Sequence, residues 1–141
     1  MDLMTSFKIL GSGLAAQRAK LDIVTSNLAN VNTTRTPAGG PYRKKSIAFT
    51  AENVAGNFDA TMKEVVKSVK IAEIREDPNG VKMIYDPTHP DADAKGFVAM
   101  PDINVMVEMT NMMAASRAYE ACVTAFDSTK KMALKTLEMG R

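Results

Sequence analysis

The sequence contains few of the side chains that perform chemistry. It has no tryptophan, one cysteine (Cys122) and one histidine (His89) among 141 residues. A single cysteine excludes an intrachain disulfide. With no histidine in its own predicted helix, Cys122 is expected to be a small buried side chain and not a nucleophile. No second histidine is available to join His89 in a metal site, so a solvated loop histidine is favoured over a catalytic one that uses Asp91.

Charge and hydropathy exclude further classes of protein. The net charge of +2 is too small to indicate binding to nucleic acid or to an anionic membrane. No run approaches the roughly 20 apolar residues that a membrane-spanning helix needs. The first eight residues lack a basic segment followed by an apolar core, so a cleaved signal peptide is not expected. Taken alone, these features favour a cytoplasmic protein.

Apolar side chains recur near both ends of the chain in alternating steps of three and four residues. This spacing places them along one line of an α-helix, as in coiled coils. We predict a first helix from about Thr5 to Asn30 and a last helix from Asp102 or Asn104 to about Leu137, packed antiparallel. The predicted seam between them consists of Leu14, Leu21 and Leu28, facing Phe126, Tyr119 and Met112 respectively. On the last helix the same apolar pattern also selects Val105, Met109, Val123, Ala133 and Leu137.

A second apolar stripe on the first helix consists of Ile9, Ala16 and Ile23, which are seven residues apart. A helix with two such stripes is expected to have more than one packing partner. The eleven methionines of the chain fit this expectation, because methionine adapts to irregular neighbours.

The middle of the chain has a different pattern. We predict an extended segment from Tyr42 to Phe49, a loop over 53–59, and β-strands over Val65–Arg75 and Val81–Tyr85. The turn residues Asp77–Gly80 separate the two strands, which predicts that they pair as a hairpin. The chain is therefore expected to be mainly α, with helices in 1–32 and 102–141 and a small β-rich insert in 33–101.

Two loops contain motifs that could bind ions. Asp91, Asp93 and Asp102 partly match a calcium loop, but Lys95 occupies a position that needs an oxygen ligand, so an Asp-rich turn is favoured.

Gly39, Gly40 and Pro41 precede Arg43, Lys44 and Lys45, but a phosphate loop needs a strand before it and a helix after it, the reverse of this order. We expect these basic residues to face solvent or an acidic partner. No enzymatic activity and no cofactor are predicted.

The run from Leu21 to Thr34, which reads LDIVTSNLANVNTT, resembles the N-terminal signature of bacterial flagellar axial proteins, the family of rod and hook subunits. The continuation TRTPAGGPYR is similar to one family of proximal-rod subunits, usually lettered C. So are the stretch from Tyr85 to Val98 and the start of the last helix, Asn104 to Met109. The residues that carry the N-terminal resemblance are Asn27, Asn30, Asn32, Arg35, Pro37, Gly39, Gly40 and Tyr42.

This resemblance implies a structural subunit of the proximal rod of the flagellar basal body. It implies terminal helices that pack as a coiled coil facing the axial channel, helical polymerisation, and a β-rich insert on the outside. Expected partners are copies of the chain, other rod proteins and the adaptor between the rod base and the MS ring. The type III export apparatus would carry the chain to the periplasmic space without a cleaved signal, which replaces the cytoplasmic expectation.

The loop from Thr33 to Tyr42 is expected to contact a neighbouring subunit. Its prolines lower the entropy lost on docking, its glycines permit close approach, and the planar guanidinium of Arg35 suits carboxylates or carbonyls. Two other classes stay open from the residues alone: a module that dimerises through its helices, and a small metal-dependent enzyme using His89 and Asp91.

Overall fold

The computed structural model describes residues 3–53 and 66–140 of the chain. Long helices occupy both ends and short strands lie between them, so the predicted fold class is confirmed. In chain order the elements are α1 (Leu3–Ala29), β1 (Lys45–Asn53), β2 (Lys67–Glu76), β3 (Val81–Tyr85), β4 (Phe97–Pro101) and α2 (Val105–Met139). Neither described helix is long and apolar enough to cross a bilayer.

Asparagine side chains mark the end of α1 and the start of α2. Asn30 follows the last residue of α1, and its Nδ2 donates to the carbonyl of Ser26 at 2.8 Å, which satisfies an acceptor at the helix end. Asn104 is the N-cap of α2: its Oδ1 accepts from the amides of Met106 and Val107. Of the two predicted starts, Asp102 and Asn104, the structure selects Asn104.

The two helices pack antiparallel, as predicted, but in a different register. The ring of Phe126 packs edge-on against Phe7, with centroids 5.1 Å apart. Phe7 lies two turns before Leu14, the predicted neighbour. At the opposite end of the pair, Asn27 contacts Glu108. The predicted pairing of Leu14 with Phe126 is therefore wrong by about one heptad.

The face that α2 turns toward α1 is also only half of the predicted one. Every side chain on the line Met112, Tyr119, Phe126 and Ala133 is half-buried, as expected for seam residues. The companion line, however, is Glu108, Ala115, Cys122 and Thr129, of which Glu108 and Ala115 are 1% exposed.

The apolar positions that the sequence pattern selected for that companion line lie outside the interface. Met109, Val123 and Leu137 are all exposed, and so is Val105, which precedes Met112 on the first line. The apolar pattern chose the larger side chains, whereas the structure places an acidic side chain and small ones between the helices.

The second stripe of α1 finds its partner within the chain. The amide of Val69 in β2 donates to Ser12 Oγ at 3.2 Å, so β2 lies against the α1 face that carries Ser12. Ile9, Ala16 and Ile23 share this face by helical spacing, and Ala16 is 3% exposed. Helix α1 is therefore packed between α2 and the β1–β2 pair.

The strands of the described residues form two separate antiparallel pairs, β1 with β2 and β3 with β4. The predicted pairing of the strands on either side of the Asp77–Gly80 turn is therefore wrong, although the turn and both strands are present. The first and last residues of the turn form backbone hydrogen bonds with other segments. The Asp77 amide donates to the Lys44 carbonyl, and the Asp102 amide donates to the Gly80 carbonyl. The turn thus leads from one hairpin into the next.

The predicted loop over 53–59 is only partly covered by the structure. Asn53 is the last residue of β1, and 54–59 lie outside the described residues, as does Val65 at the predicted start of the second strand. Helix is absent across Val69 to Ile74, which belong to β2.

We predict that Ala115→Leu destabilises the folded chain by about 1–3 kcal/mol, because added methylenes between close-packed helices force side chains and backbone apart. Ala114→Leu is the matched control, since Ala114 is exposed on the same turn of α2. Urea denaturation of both variants measures the difference. Equal midpoints for the two variants would contradict the observed face of α2.

Candidate functional site

The residues of the N-terminal signature meet the start of α2 in a buried polar cluster, which we define as Asn27, Tyr42, Lys44, Lys45 and Glu108. Asn27 is at its centre and is 1% exposed. Its Nδ2 donates to the Lys45 carbonyl at 2.9 Å and to Glu108 Oε2 at 3.1 Å. Its Oδ1 accepts from the Lys45 amide at 2.9 Å and from Tyr42 Oη at 3.1 Å. One amide side chain thus connects α1, the following loop, the start of β1 and α2.

Glu108 carries the only charge that the cluster buries completely. Its side chain is 2% exposed, and Lys44 Nζ lies 2.9 Å from Oε1. This contact is an ion pair without hydrogen-bond geometry, so Oε1 has no hydrogen-bond donor among the described residues. Lys44, predicted to face solvent or an acidic partner, finds that partner inside its own chain. Removing one member of such a pair leaves an uncompensated buried charge, which is costly.

Tyr42 closes the cluster from the loop side. It is 8% exposed, and its hydroxyl also lies 3.2 Å from Ser26 Oγ. The Nζ of Lys45 is 5.9 Å from the centre of its ring, and it forms an exposed ion pair with Glu76. Tyr42 therefore anchors the end of the loop that follows α1, so that this loop begins and ends against the same helix.

The other signature residues divide between the helix end and the exposed tip of the loop. Asn30 Oδ1 accepts from Thr33 Oγ1, and Asn32 is exposed. The tip is defined by Arg35, Pro37, Gly39 and Gly40, and all four are exposed.

Backbone geometry favours glycine at two positions of the tip. Gly39 and Gly40 have φ values of 89° and 78°, and a Cβ at either position would meet nothing within 4 Å. The glycines are therefore favoured for their backbone conformation and not, within this chain, for close approach. Hydrogen bonds between Thr36 and both glycines close the turn.

The second Pro-rich loop, 86–96, lies against the first. Thr34 Oγ1 donates to Asp91 Oδ2 at 2.8 Å. Asp86 accepts from the hydroxyl and amide of Thr88, and these hydrogen bonds lower the pKa of the Asp86 carboxyl. His89 Nδ1 accepts from the Asp91 amide. Within 3–53 and 66–140, no three His, Cys, Asp or Glu side chains converge as metal ligands would.

Sequence reasoning identified Asn27 and Tyr42 but missed Glu108 and Lys44 as site residues. Glu108 lies in the run Asn104 to Met109 that carries the resemblance, but an acidic residue near the start of a helix is expected from the helix dipole alone, so nothing indicated that it is buried. Only the antiparallel packing, which joins residues 81 positions apart, shows that Glu108 is buried.

We predict that Asn27→Asp destabilises the chain by about 3–5 kcal/mol, because it replaces a donor to Glu108 with a second buried carboxylate. Asn32→Asp is the control, since it introduces the same change at an exposed position of the same signature. Circular dichroism melts would show the difference. Similar melting temperatures for the two variants would argue against the cluster.

Comparison with known proteins adds an independent line of evidence. The family model described as flagella basal body rod protein matches residues 7–35, and the one described as flagellar basal body rod FlgEFG protein C-terminal matches residues 94–139. The two matched segments contain Asn27 and Glu108, the residues that meet in the cluster.

Whole proteins match from end to end. The flagellar basal-body rod protein FlgC of Salmonella typhimurium is 40% identical over 141 residues, covering 100% of both chains. FlgC of Borreliella burgdorferi is 41% identical over 94% of this chain and 93% of its own. FlgC of Bacillus subtilis is 37% identical, with full coverage of both. The fold, the signature cluster and these matches together place the chain in the FlgC family of flagellar basal-body rod proteins.

Proposed function

We propose that this chain is a subunit of the proximal rod, where copies polymerise helically with other rod proteins into a hollow shaft. The shaft would transmit torque and enclose the export channel. The observation that carries the proposal is the full-length identity of about 40% to FlgC proteins. A structural role in the basal-body rod follows from family membership; position along the rod, helical symmetry and torque transmission are part of the proposal.

The exposed apolar surface of α2 supports an assembling subunit. Met106, Met132 and Leu137 are 73%, 63% and 72% exposed. Met106 lies roughly 39 Å along α2 from Met132, so these side chains belong to two separate exposed apolar regions, each a candidate contact site. In the proposed division, residues 1–32 and 102–141 form the axial helical part of the subunit, and 33–101 form its outer part.

The predicted seam residues of both helices are also proposed to contribute to assembly. Because α2 extends its apolar surface around the helix, the half-buried line Met112, Tyr119 and Phe126 borders both α1 and the exposed side. Leu14, Leu21 and Leu28 are half-buried on α1. We propose that neighbouring subunits complete the burial of these side chains.

The proposed partners are other copies, other rod proteins, the adaptor between the rod base and the MS ring, and the flagellar type III export apparatus. Export without a cleaved signal would deliver the chain to the periplasmic space. The proposal includes no enzymatic activity.

Deletion and restoration test this function. Removing the gene from its own bacterium should abolish motility, and a plasmid copy should restore it and appear in isolated basal bodies. In solution the purified chain should be monomeric or only weakly associated. A stable, monodisperse dimer, together with unaffected motility after deletion, would favour the dimerising module instead.

The exposed tip at Arg35–Gly40 is proposed to dock on a neighbouring subunit. We predict that Gly39→Asn with Gly40→Asn stops rod assembly and lowers the stability of the isolated subunit less than the matching alanine pair does. Asparagine accepts positive φ and the space around both residues is open within the chain, so only a docked neighbour would meet the new side chains. Replacement by alanine is a poorer probe, because positive φ would strain the isolated subunit as well.

Motility and a denaturation midpoint, measured on the same Asn variant, separate docking from folding. Arg35→Lys, which keeps the charge but loses the planar guanidinium, should weaken assembly less. Normal rods built from the double Asn variant would show that the tip faces solvent and is only a connector.

A further inference from the structure

Three methionines form an exposed stripe near the start of α2: Met106, Met109 and Met113, which are 73%, 44% and 54% exposed. At 3.6 residues per turn they fall within about 60° of one another around the helix, and roughly 100–160° from Glu108. The burial of Glu108 against Asn27 therefore turns this methionine stripe away from α1.

An apolar groove lies at the other end of the helix pair. It has a volume of about 450 Å³ and is lined by the start of α1 and the last turns of α2, through Leu3, Ser6, Thr129, Met132, Ala133, Thr136 and Leu137. No lining side chain is charged. The groove continues the α1–α2 interface, because Thr129 and Ala133 belong to the two lines that α2 presents to α1. Its volume falls within the roughly 300–1,000 Å³ of small-molecule pockets, so it has room for a methionine side chain.

One copy cannot join these two surfaces. Met109 and Ala133 are 24 residues apart on one continuous helix, which separates them by about 36 Å at 1.5 Å per residue. A convex stripe on a single helix and a concave groove between two helices have complementary shapes, and methionine side chains adapt readily to such a groove.

We propose that the methionine stripe of one copy docks in the end groove of a second copy of this chain. The inference rests on the proposed function and deepens it by naming the two surfaces of one subunit contact. The contact joins two different surfaces. The copy whose stripe is docked therefore keeps a free groove, and the copy whose groove is filled keeps a free stripe. Such a heterologous contact does not close on itself and can extend into a filament.

Disulfide trapping between two single-cysteine variants tests the contact on the purified full-length chain. In a Cys122→Ser background, Met109→Cys on a tagged copy is mixed with Met132→Cys on an untagged copy and oxidised. Both replaced side chains are exposed, so neither change should disturb folding. In the control mixture the tagged copy carries Thr25→Cys, at an exposed position of α1, instead of Met109→Cys.

The proposal expects at least about tenfold more disulfide-linked heterodimer in the stripe–groove mixture than in the control mixture, because docking raises the effective concentration of the two thiols. It also expects little homodimer from either variant alone. A chain carrying both Met109→Cys and Met132→Cys should give a ladder of dimers, trimers and longer products.

Three outcomes overturn the proposal. Predominant homodimers of Met109→Cys would show that stripes pair with each other, and predominant homodimers of Met132→Cys would show the same for grooves. A heterodimer yield no higher than the control would show that the surfaces do not meet. The motility test above is independent of these results: a motile strain whose chain gives no heterodimer retains the proposed function and loses this contact.

Discussion

The arrangement of the molecule depends on the contact between Asn27 and Glu108. The two side chains are both 1% exposed, and the 3.1 Å hydrogen bond between them joins the end of the first helix to the start of the last. A buried carboxylate is tolerated only with hydrogen bonds and an opposite charge, which Asn27 and Lys44 provide. Both partners meet Glu108 in this register and this rotation of α2, so a shift of the helix would leave a buried carboxylate without them. Buried polar groups that define register are known from coiled coils.

The rotation of α2 determines which surface is left for other molecules. With Glu108 inside, the flanking residues Met106 and Met109 are outside, and the helix keeps an apolar surface that its own chain does not cover. Helix α1 is enclosed by α2 on one side and by β1–β2 on another. Among the described residues, α2 therefore carries many of the exposed large apolar side chains, and most of the others lie on the strands.

The N-terminal signature contains buried residues that stabilise the subunit and, between them in the sequence, exposed residues that are available for contacts. Asn27 and Tyr42 are buried and hold the subunit together, whereas Arg35, Gly39 and Gly40 are exposed between them. The buried residues position the exposed tip, since Tyr42 returns the chain to α1 immediately after it. Substitutions in one signature should therefore separate into those that unfold the subunit and those that leave it folded but unable to assemble.

The sequence by itself determined the elements: two long helices from their 3.5-residue period, their ends to within about two residues, and the turn at Asp77–Gly80. These follow from local preferences that neighbouring residues decide. Tertiary structure decided which elements pair, because register and strand partners depend on contacts between distant residues. The hydrophobic pattern favoured Met109 and Val123 for the helix interface, but a hydrogen-bonded Glu108 and the small Ala115 occupy it. Apolar periodicity measures hydrophobicity alone, and only the folded chain shows that a buried charge has its partners.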